Sequence, residues 1–543
     1  MLTLPQKPPT TPPSKQLGLR RALLIGIALL AGPLILPSTA HAMTPPQNEL
    51  TFFAFDNHSI PFSRNLSLTM NRPVKFAENP VLPRGEAGAP DHFGVQFYGS
   101  VVEDQGKFRM WYVAMDEEFK NWPNVDPTIF RVAYAESSDG IHWVKPKLRL
   151  VDYRGSTQNN LIELLPSPLG MINLKVIRDD VDPAPARRYK MILHTWSVGD
   201  DGKGGRGTLA PLVSADGFTW HPVKNIHPLK GRLPISEMFL PEHHYEAGSG
   251  LYQWQGMYYI TGQSNSGHFQ HGTTPYSGRE VLIHRSADFD HWEPSAHVAF
   301  LREGQSGKSF IYGEGEETHE GISVWNRGNV LLGLSGIWHG GKDWPDRTID
   351  LGFVISNDGL HFREPLTEWV IFPRGPDGAW DQGGLIQGQG FANVGDQTYV
   401  YYGAWDPRPE VAKVGYPARG GVGLATLERD RFGSLSPRVS GAPADLTTTT
   451  IELADGSNPK FFINADGLGT DATLRVDLLD AREQPIPLAS GDHAALIRAN
   501  GLRTPVLFPN VPTLPAAVRL RVSFDGSDSS SIKVSALYIV PGT

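Results

Sequence analysis

Ser137-Ser138-Asp139-Gly140-Ile141-His142-Trp143 decides the fold, because the chain repeats it. It returns as Ser214-Ala215-Asp216-Gly217-Phe218-Thr219-Trp220, as Ser286-Ala287-Asp288-Phe289-Asp290-His291-Trp292 and as Ser356-Asn357-Asp358-Gly359-Leu360-His361-Phe362. Successive copies start 70 to 77 residues apart, a span that suits one four-stranded sheet with its loops. Short polar side chains bond their own backbone in such a turn, glycine accepts positive φ, and the aromatic residue seals a sheet interface. These residues are therefore read as structural.

A second marker precedes each copy: a turn followed by an aromatic-rich or apolar strand. Its five occurrences begin at Gly106, Arg188, Gly256, Gly328 and Gly395, the first reading Gly106-Lys107-Phe108-Arg109-Met110-Trp111-Tyr112. Two markers in constant phase predict an all-β chain built as a five-bladed β-propeller over residues 43–435. Beyond Leu435 the phase is lost. Residues 436–445 read as a linker rich in Pro, Gly, Ser and Ala. Residues 446–543 alternate apolar and polar positions, as in Thr473-Leu474-Arg475-Val476-Asp477-Leu478, and predict a C-terminal β-sandwich.

The bulk composition agrees with that architecture. The chain has 543 residues, 58 glycines, 45 prolines and no cysteine. A formal net charge of -8 argues against a nucleic-acid partner, which calls for a basic face. Lys15, Arg20 and Arg21 precede an apolar run from Ala22 to Pro37, and Ala40-His41-Ala42 has small residues where a signal peptidase cuts. Residues 1–42 are therefore expected to be a signal peptide, which makes the mature chain secreted or periplasmic. The run is too short and too interrupted by proline to be expected to span a membrane. Without cysteine the mature chain has no disulfide and no thiolate nucleophile.

From Leu50 to about Leu435 the repeated Ser-x-Asp-Gly-x-x-Trp turns resemble the glycoside hydrolase propellers of families 32, 43, 68, 117 and 130. Gly99-Ser100-Val101, Tyr134-Ala135-Glu136-Ser137 and Trp380-Asp381-Gln382-Gly383-Gly384 resemble bacterial relatives of families 32 and 43 more closely. The family 32 signature Trp-x-Asn-Asp-Pro-Asn-Gly is absent, and Arg178-Asp179-Asp180 departs from its Arg-Asp-Pro. The resemblance implies a glycosidase and a carbohydrate partner. It names neither sugar nor stereochemistry.

Cleaving a glycosidic bond takes a general acid and a second carboxylate, and in a propeller both would stand where inner strands converge. Family 43-like enzymes draw acids from the first, third and fourth blades, a distribution matched here by Asp91, Glu246 and Glu320. The resemblance implies Glu320 as acid, Asp91 as base or nucleophile, and Glu246 as the group that orients substrate or raises the acid's pKa. His92, His244, His319, Arg327, Asp381 and Gln382 are candidates for binding sugar. Arg178, Arg327 and Arg347 could pair with an anionic one. The histidines lack the spacing of a zinc site, so no metal ligand is assigned. No cofactor is required for this chemistry, although the resemblance admits a calcium ion in the funnel. Two alternatives stay open: a glycoside phosphorylase, and a carbohydrate-binding propeller without catalysis.

Overall fold

The computed structural model describes residues 49–542 apart from 122–126, 167–168, 172, 206, 241–247, 265–269, 272–273, 276–278, 295, 301–314, 341–343, 412–417, 454–457 and 512. Of the expected elements, the signal peptide lies outside these residues.

Each aromatic-rich strand is the second of an antiparallel set. In the first, Gly94–Asp104 pairs with Lys107–Met115, which pairs with Phe130–Ser137. The second contains Asn173–Arg178, Tyr189–Val198, Gly207–Ser214 and Thr219–Pro222. The third contains Gly248–Trp254, Met257–Ser264, Glu280–Ser286 and His297–Phe300. The fourth contains Gly315–Asn326, Leu331–Gly340, Thr348–Ser356 and Val370–Phe372. The fifth contains Gln389–Val394, Gln397–Ala404 and Val422–Glu428, and its outer strand is Val74–Lys75 from the start of the chain. The opening strand of each set touches that of the next, and Gln389–Val394 returns to run parallel to Gly94–Asp104.

The repeated turns hold these sets together. In the first, Asp139 accepts the amides of Ile141 and His142 at 2.9 Å, and the Ser137 hydroxyl accepts the Gly140 amide at 2.9 Å. Gly140 has φ +77°, and Phe289, in the equivalent place of the third turn, is held at φ +70° despite its side chain. In three of the turns the carbonyl at that position also accepts from a neighbouring sheet. Trp111 donates to Gly217, Tyr252 to Gly359 and Tyr401 to Gly140, at 2.7 to 2.8 Å. The turns are thus the sockets into which adjacent sheets plug.

The C-terminal region forms two sheets around one core of Leu446, Ile463, Leu474, Val476, Leu520, Val522, Leu537 and other buried side chains. One departure from the expected boundaries is clear. Leu50–Phe53 pairs with Lys533–Val540, Phe62–Arg64 with Asp445–Thr447, and Leu66–Met70 with Gly433–Pro437. The first twenty or so described residues complete the C-terminal sheets rather than the repeats, because their apolar side chains, such as Phe52 and Leu66, fill that core.

Arg327 corrects another expectation. It lies in a turn between the opening strands of the fourth set, only 3% exposed, and its guanidinium forks onto Asp430. Asp430 also accepts Asn393 from the fifth set at 3.1 Å and Tyr538 from the C-terminal sheets at 2.9 Å. The guanidinium stacks on Trp325, 4.4 Å from the ring centre. Buried and paired through both terminal nitrogens with Asp430, Arg327 joins two parts of the fold and is not placed to bind a sugar.

Burial pushes the Asp430 carboxyl up, but Arg327 and the other donors outweigh it and hold the carboxyl below its usual range. A carboxyl depressed in the folded state contributes stability above its unfolded pKa and loses it as pH falls through the folded value. Asp430→Asn should cost about 3–5 kcal/mol in urea unfolding at pH 7, since it strands a buried guanidinium. The cost should shrink as the medium is acidified toward the folded-state pKa. In the turns, Asp216→Ala should lower the melting temperature while leaving the remaining folded molecules active.

Candidate functional site

The fourth opening strand breaks register between His319 and Ile322. At that bulge Glu320 takes φ +65° and Gly321 φ +120°. A side chain in the left-handed region costs about 1–2 kcal/mol, so the neighbours must impose it. They do: the Glu320 amide donates to Gln263 Oε1 at 2.8 Å, the Ser249 hydroxyl donates to the Glu320 carbonyl at 2.6 Å, and Gln387 donates to the Gly321 carbonyl at 3.1 Å. Third and fifth sets clamp the fourth from both sides. The bulge re-aims one buried carboxylate.

What surrounds that carboxylate is polar and enclosed. Lys175, fully buried, donates through Nζ to the Tyr98 carbonyl. Burial pulls its ammonium down to about 7, against the attraction of Glu320. Burial, with Glu320 beside it, holds the Tyr98 phenol well above its usual range. His319 is 2% exposed, with Nε2 3.7 Å from Glu320 Oε1. Its ring lies 5.2 Å from Trp338 and 5.6 Å from Trp405. Burial, reinforced by Arg279, keeps it well below the usual imidazole range and so neutral at pH 7.

Asn173 Nδ2, Thr318 Oγ1, His319 Nδ1, Ser335 Oγ and Gln387 Oε1 are buried and have no hydrogen-bond partner among the described residues. Such groups call for water or a ligand's hydroxyls. All five stand on the strands that frame Glu320 or beside them. Glu280, fully buried, sits across from Ser264 and next to the Gln263 that holds the Glu320 amide. The region thus offers a positioned acid, a second carboxylate on the neighbouring set, and hydroxyl-binding groups.

Asp91 is held elsewhere. Its Oδ2 accepts Tyr112 at 2.7 Å and Lys145 at 2.5 Å. Asp381 repeats this arrangement, accepting Lys75 at 2.6 Å and Tyr402 at 3.3 Å. The loops match in sequence: Pro83-Arg84-Gly85-Glu86-Ala87-Gly88-Ala89-Pro90-Asp91 against Pro373-Arg374-Gly375-Pro376-Asp377-Gly378-Ala379-Trp380-Asp381. A Cβ on Gly85 or Gly375 would come within 2.3 or 2.1 Å of the aspartate Oδ1, so each carboxylate packs onto bare backbone. Two copies with the same partners mark Asp91 and Asp381 as loop braces. His92 and Gln382 belong to the same loops: His92 Nδ1 contacts the Gly85 carbonyl at 3.2 Å, and Gln382 accepts the Gly378 amide at 2.6 Å. Glu246 and His244 lie outside the described residues. Of the expected site residues, the structure brings together His319 and Glu320.

Sequence reasoning missed Tyr98, Lys175, Gln263, Glu280 and Trp405. Lys175 reads as an ordinary strand position in Asn173-Leu174-Lys175-Val176-Ile177-Arg178, while Glu280 could have been noticed as the charged residue that follows Arg279 at the head of a strand. Among the described residues no group of three or more His, Asp or Glu is placed to hold a metal ion.

No family model matches the chain, and no curated protein matches it. Solved structures do. One belongs to glycoside hydrolase family 130, a family of mannoside phosphorylases that contains hydrolases of β-1,2-mannosidic linkages in Candida mannan; identity is 16%, coverage 67% of this chain and 95% of that one, and the TM-score 0.40. Another, ascribed to the glycoside hydrolases, is from Parabacteroides distasonis, at 15% identity over 66% of this chain and 96% of that one, TM-score 0.40. A third is an N-acetylgalactosamine deacetylase from F. plautii in complex with blood group B trisaccharide, at 16% identity over 67% and 96%, TM-score 0.40.

Lys175 supplies a test of the site's electrostatics. Its folded-state pKa of about 7 lies below the usual 10.5, so between those values the unfolded chain holds a proton that the folded chain lacks. Stability should therefore rise with pH across that window, by up to about 1.4 kcal/mol per unit. Lys175→Met should flatten the rise, as read from denaturation midpoints between pH 7 and 10.

Proposed function

We propose that the five strand sets form a five-bladed propeller with an appended β-sandwich, and that the exported chain is a glycoside hydrolase whose general acid is Glu320. The observation that carries this reading is the clamped bulge. A strained backbone position, held by side chains from both neighbouring sets, presents one buried carboxylate among polar groups that suit sugar hydroxyls. The second carboxylate comes from the third set, through Glu280 or through Glu246 just before Gly248–Trp254. One acts on the leaving oxygen and the other on water or the anomeric carbon. The signal-like first 42 residues support a substrate met outside the cytoplasm.

The cations near Glu320 favour one second reading, phosphorolysis, in which inorganic phosphate replaces water as the attacking group. The two readings separate on a phosphate requirement.

Glu320→Gln should lower kcat/KM by about 100-fold or more on substrates with poor leaving groups. Aryl glycosides with good leaving groups need little protonation and should be spared in the cleavage step. Equal damage to both classes, with cleavage rate-limiting, removes Glu320 from the acid role.

A further inference from the structure

One face of a C-terminal sheet is turned away from the core. Phe62–Arg64, Asp445–Thr447, Ala517–Asp525 and Thr473–Asp480 lie side by side in that order. Leu446, Val522 and Val476 point into the core, so their sequence neighbours point away from it. The register sets those neighbours in two rows. Phe62, Thr447, Arg521 and Asp477 stand opposite one another across the four strands, and Arg64, Asp445, Ser523 and Arg475 form the next row. With strands about 4.8 Å apart, each row runs for about 14 Å. The segment after Thr473–Asp480 folds back over its end. Pro485 bridges to Leu479, the Ser490 hydroxyl donates to the Leu478 carbonyl at 2.5 Å, and the Gly491 amide donates to Asp477 at 2.8 Å. Leu479, on the outward face, is thereby buried. The rows become the floor of a cleft of about 820 Å³, walled by that segment.

The second row satisfies itself. Arg64 donates to Asp445 at 2.7 Å, and Arg475 reaches Asp477 and Asp525 at 3.3 Å. The first row does not. Asp477 stands opposite Arg521 but is engaged by Arg475 and the Gly491 amide. Among the described residues the half-buried Arg521 guanidinium has no hydrogen bond, ion pair or ring contact. Two strands away in the same row, Phe62 is 54% exposed, with no ring packed on it. An open guanidinium fork in line with an uncovered ring is completed by a ligand that brings both oxygen atoms and an apolar face. Charge selects its kind. Three guanidiniums, Arg64, Arg475 and Arg521, line the cleft together with three carboxylates, Asp445, Asp477 and Glu483. An anion meets as much repulsion as attraction there. Sugar hydroxyls donate as well as accept, and the C–H face of a sugar ring lies well on an aromatic side chain.

We propose that this cleft binds a segment of a neutral polysaccharide, with one sugar ring stacked on Phe62 and the hydroxyls of a neighbouring ring held by Arg521. The row is longer than one ring, so the cleft takes a stretch of chain rather than a monosaccharide. It shares no residue with the surroundings of Glu320, and it goes beyond the glycosidase reading without depending on it.

The experiment uses the purified full chain carrying Glu320→Gln, so that binding is read apart from turnover. Retention is measured by affinity electrophoresis in gels holding neutral mannan, glucan, xylan or galactan, and in a gel holding polygalacturonate. Retention by at least one neutral polysaccharide, indifferent to salt, is the expected result. Adding Phe62→Ala or Arg521→Met should weaken it about tenfold each. Phe62 is exposed on an edge strand and Arg521 has no bond to lose, so both variants should pass a melting check; Phe62→Leu, which keeps the bulk and loses the ring, replaces the first should it fail. Retention unchanged in both folded variants, or absent from every neutral gel, overturns the proposal. Stronger retention on polygalacturonate that fades with salt overturns it too, because Arg521 then reads an anion. So does a change of oligomeric state in place of a change in retention, which makes the cleft an interface between copies of the chain. Retention that falls in both variants supports the cleft even where the unsubstituted chain cleaves nothing, an outcome that counts against the glycosidase reading alone.

Discussion

The Tyr401 hydroxyl bonds the carbonyl of Gly140, joining the last strand set to the first turn. The same kind of bond, from Trp111 to Gly217 and from Tyr252 to Gly359, ties other neighbours together. Each acceptor stands at the positive-φ position of a Ser-Asp-Gly turn, whose geometry turns its carbonyl toward the next sheet. This is the constraint behind the repeat. An aspartate that fails to hold its turn loses the local amide bonds and the socket for the adjacent sheet as well. Within the sets that remain folded, Gln263, Ser249 and Gln387 reach across to the Glu320 bulge through bonds of their own.

What could be read before the fold was seen follows from how local each signal is. The Ser-Asp-Gly turns bond within five residues, so the repeat and its strand phase were visible along the chain. The membership of residues 50–70 was not, because Leu50–Phe53 finds its partner in Lys533–Val540 at the far end. Asp91 shows the same limit in another form. Its place before an opening strand suited a catalytic carboxylate, while Lys145 and Tyr112 are contacts that only the fold supplies. The matching loop that ends in Asp381 was present in the sequence, and comparing the two would have marked both as braces. Glu320 is a candidate by its position in the chain alone, while the bulge that turns it depends on side chains from two other sets.

The surroundings of Glu320 divide the work between rigidity and charge. Register, bulge and clamp fix where the carboxylate stands. Lys175, Tyr98 and His319 surround it, and burial is the main cause of their shifts, with Glu320 opposing the first and Arg279 adding to the last. Trp338 and Trp405 give the enclosure an aromatic side against which Arg279 and Arg419 lie.

The outer strand of the fifth set is Val74–Lys75, and Lys75 also reaches Asp381 at its far edge. The last set to leave a ribosome or a translocation pore is therefore finished by one of the first segments to emerge. Until Val422–Glu428 is present, Val74–Lys75 has no strand to pair with. Closing so long a loop is slow but adds little to its entropic cost beyond what a shorter loop would require. The fifth set is thus completed only when residues 422–428 are available to a segment made about 350 residues earlier.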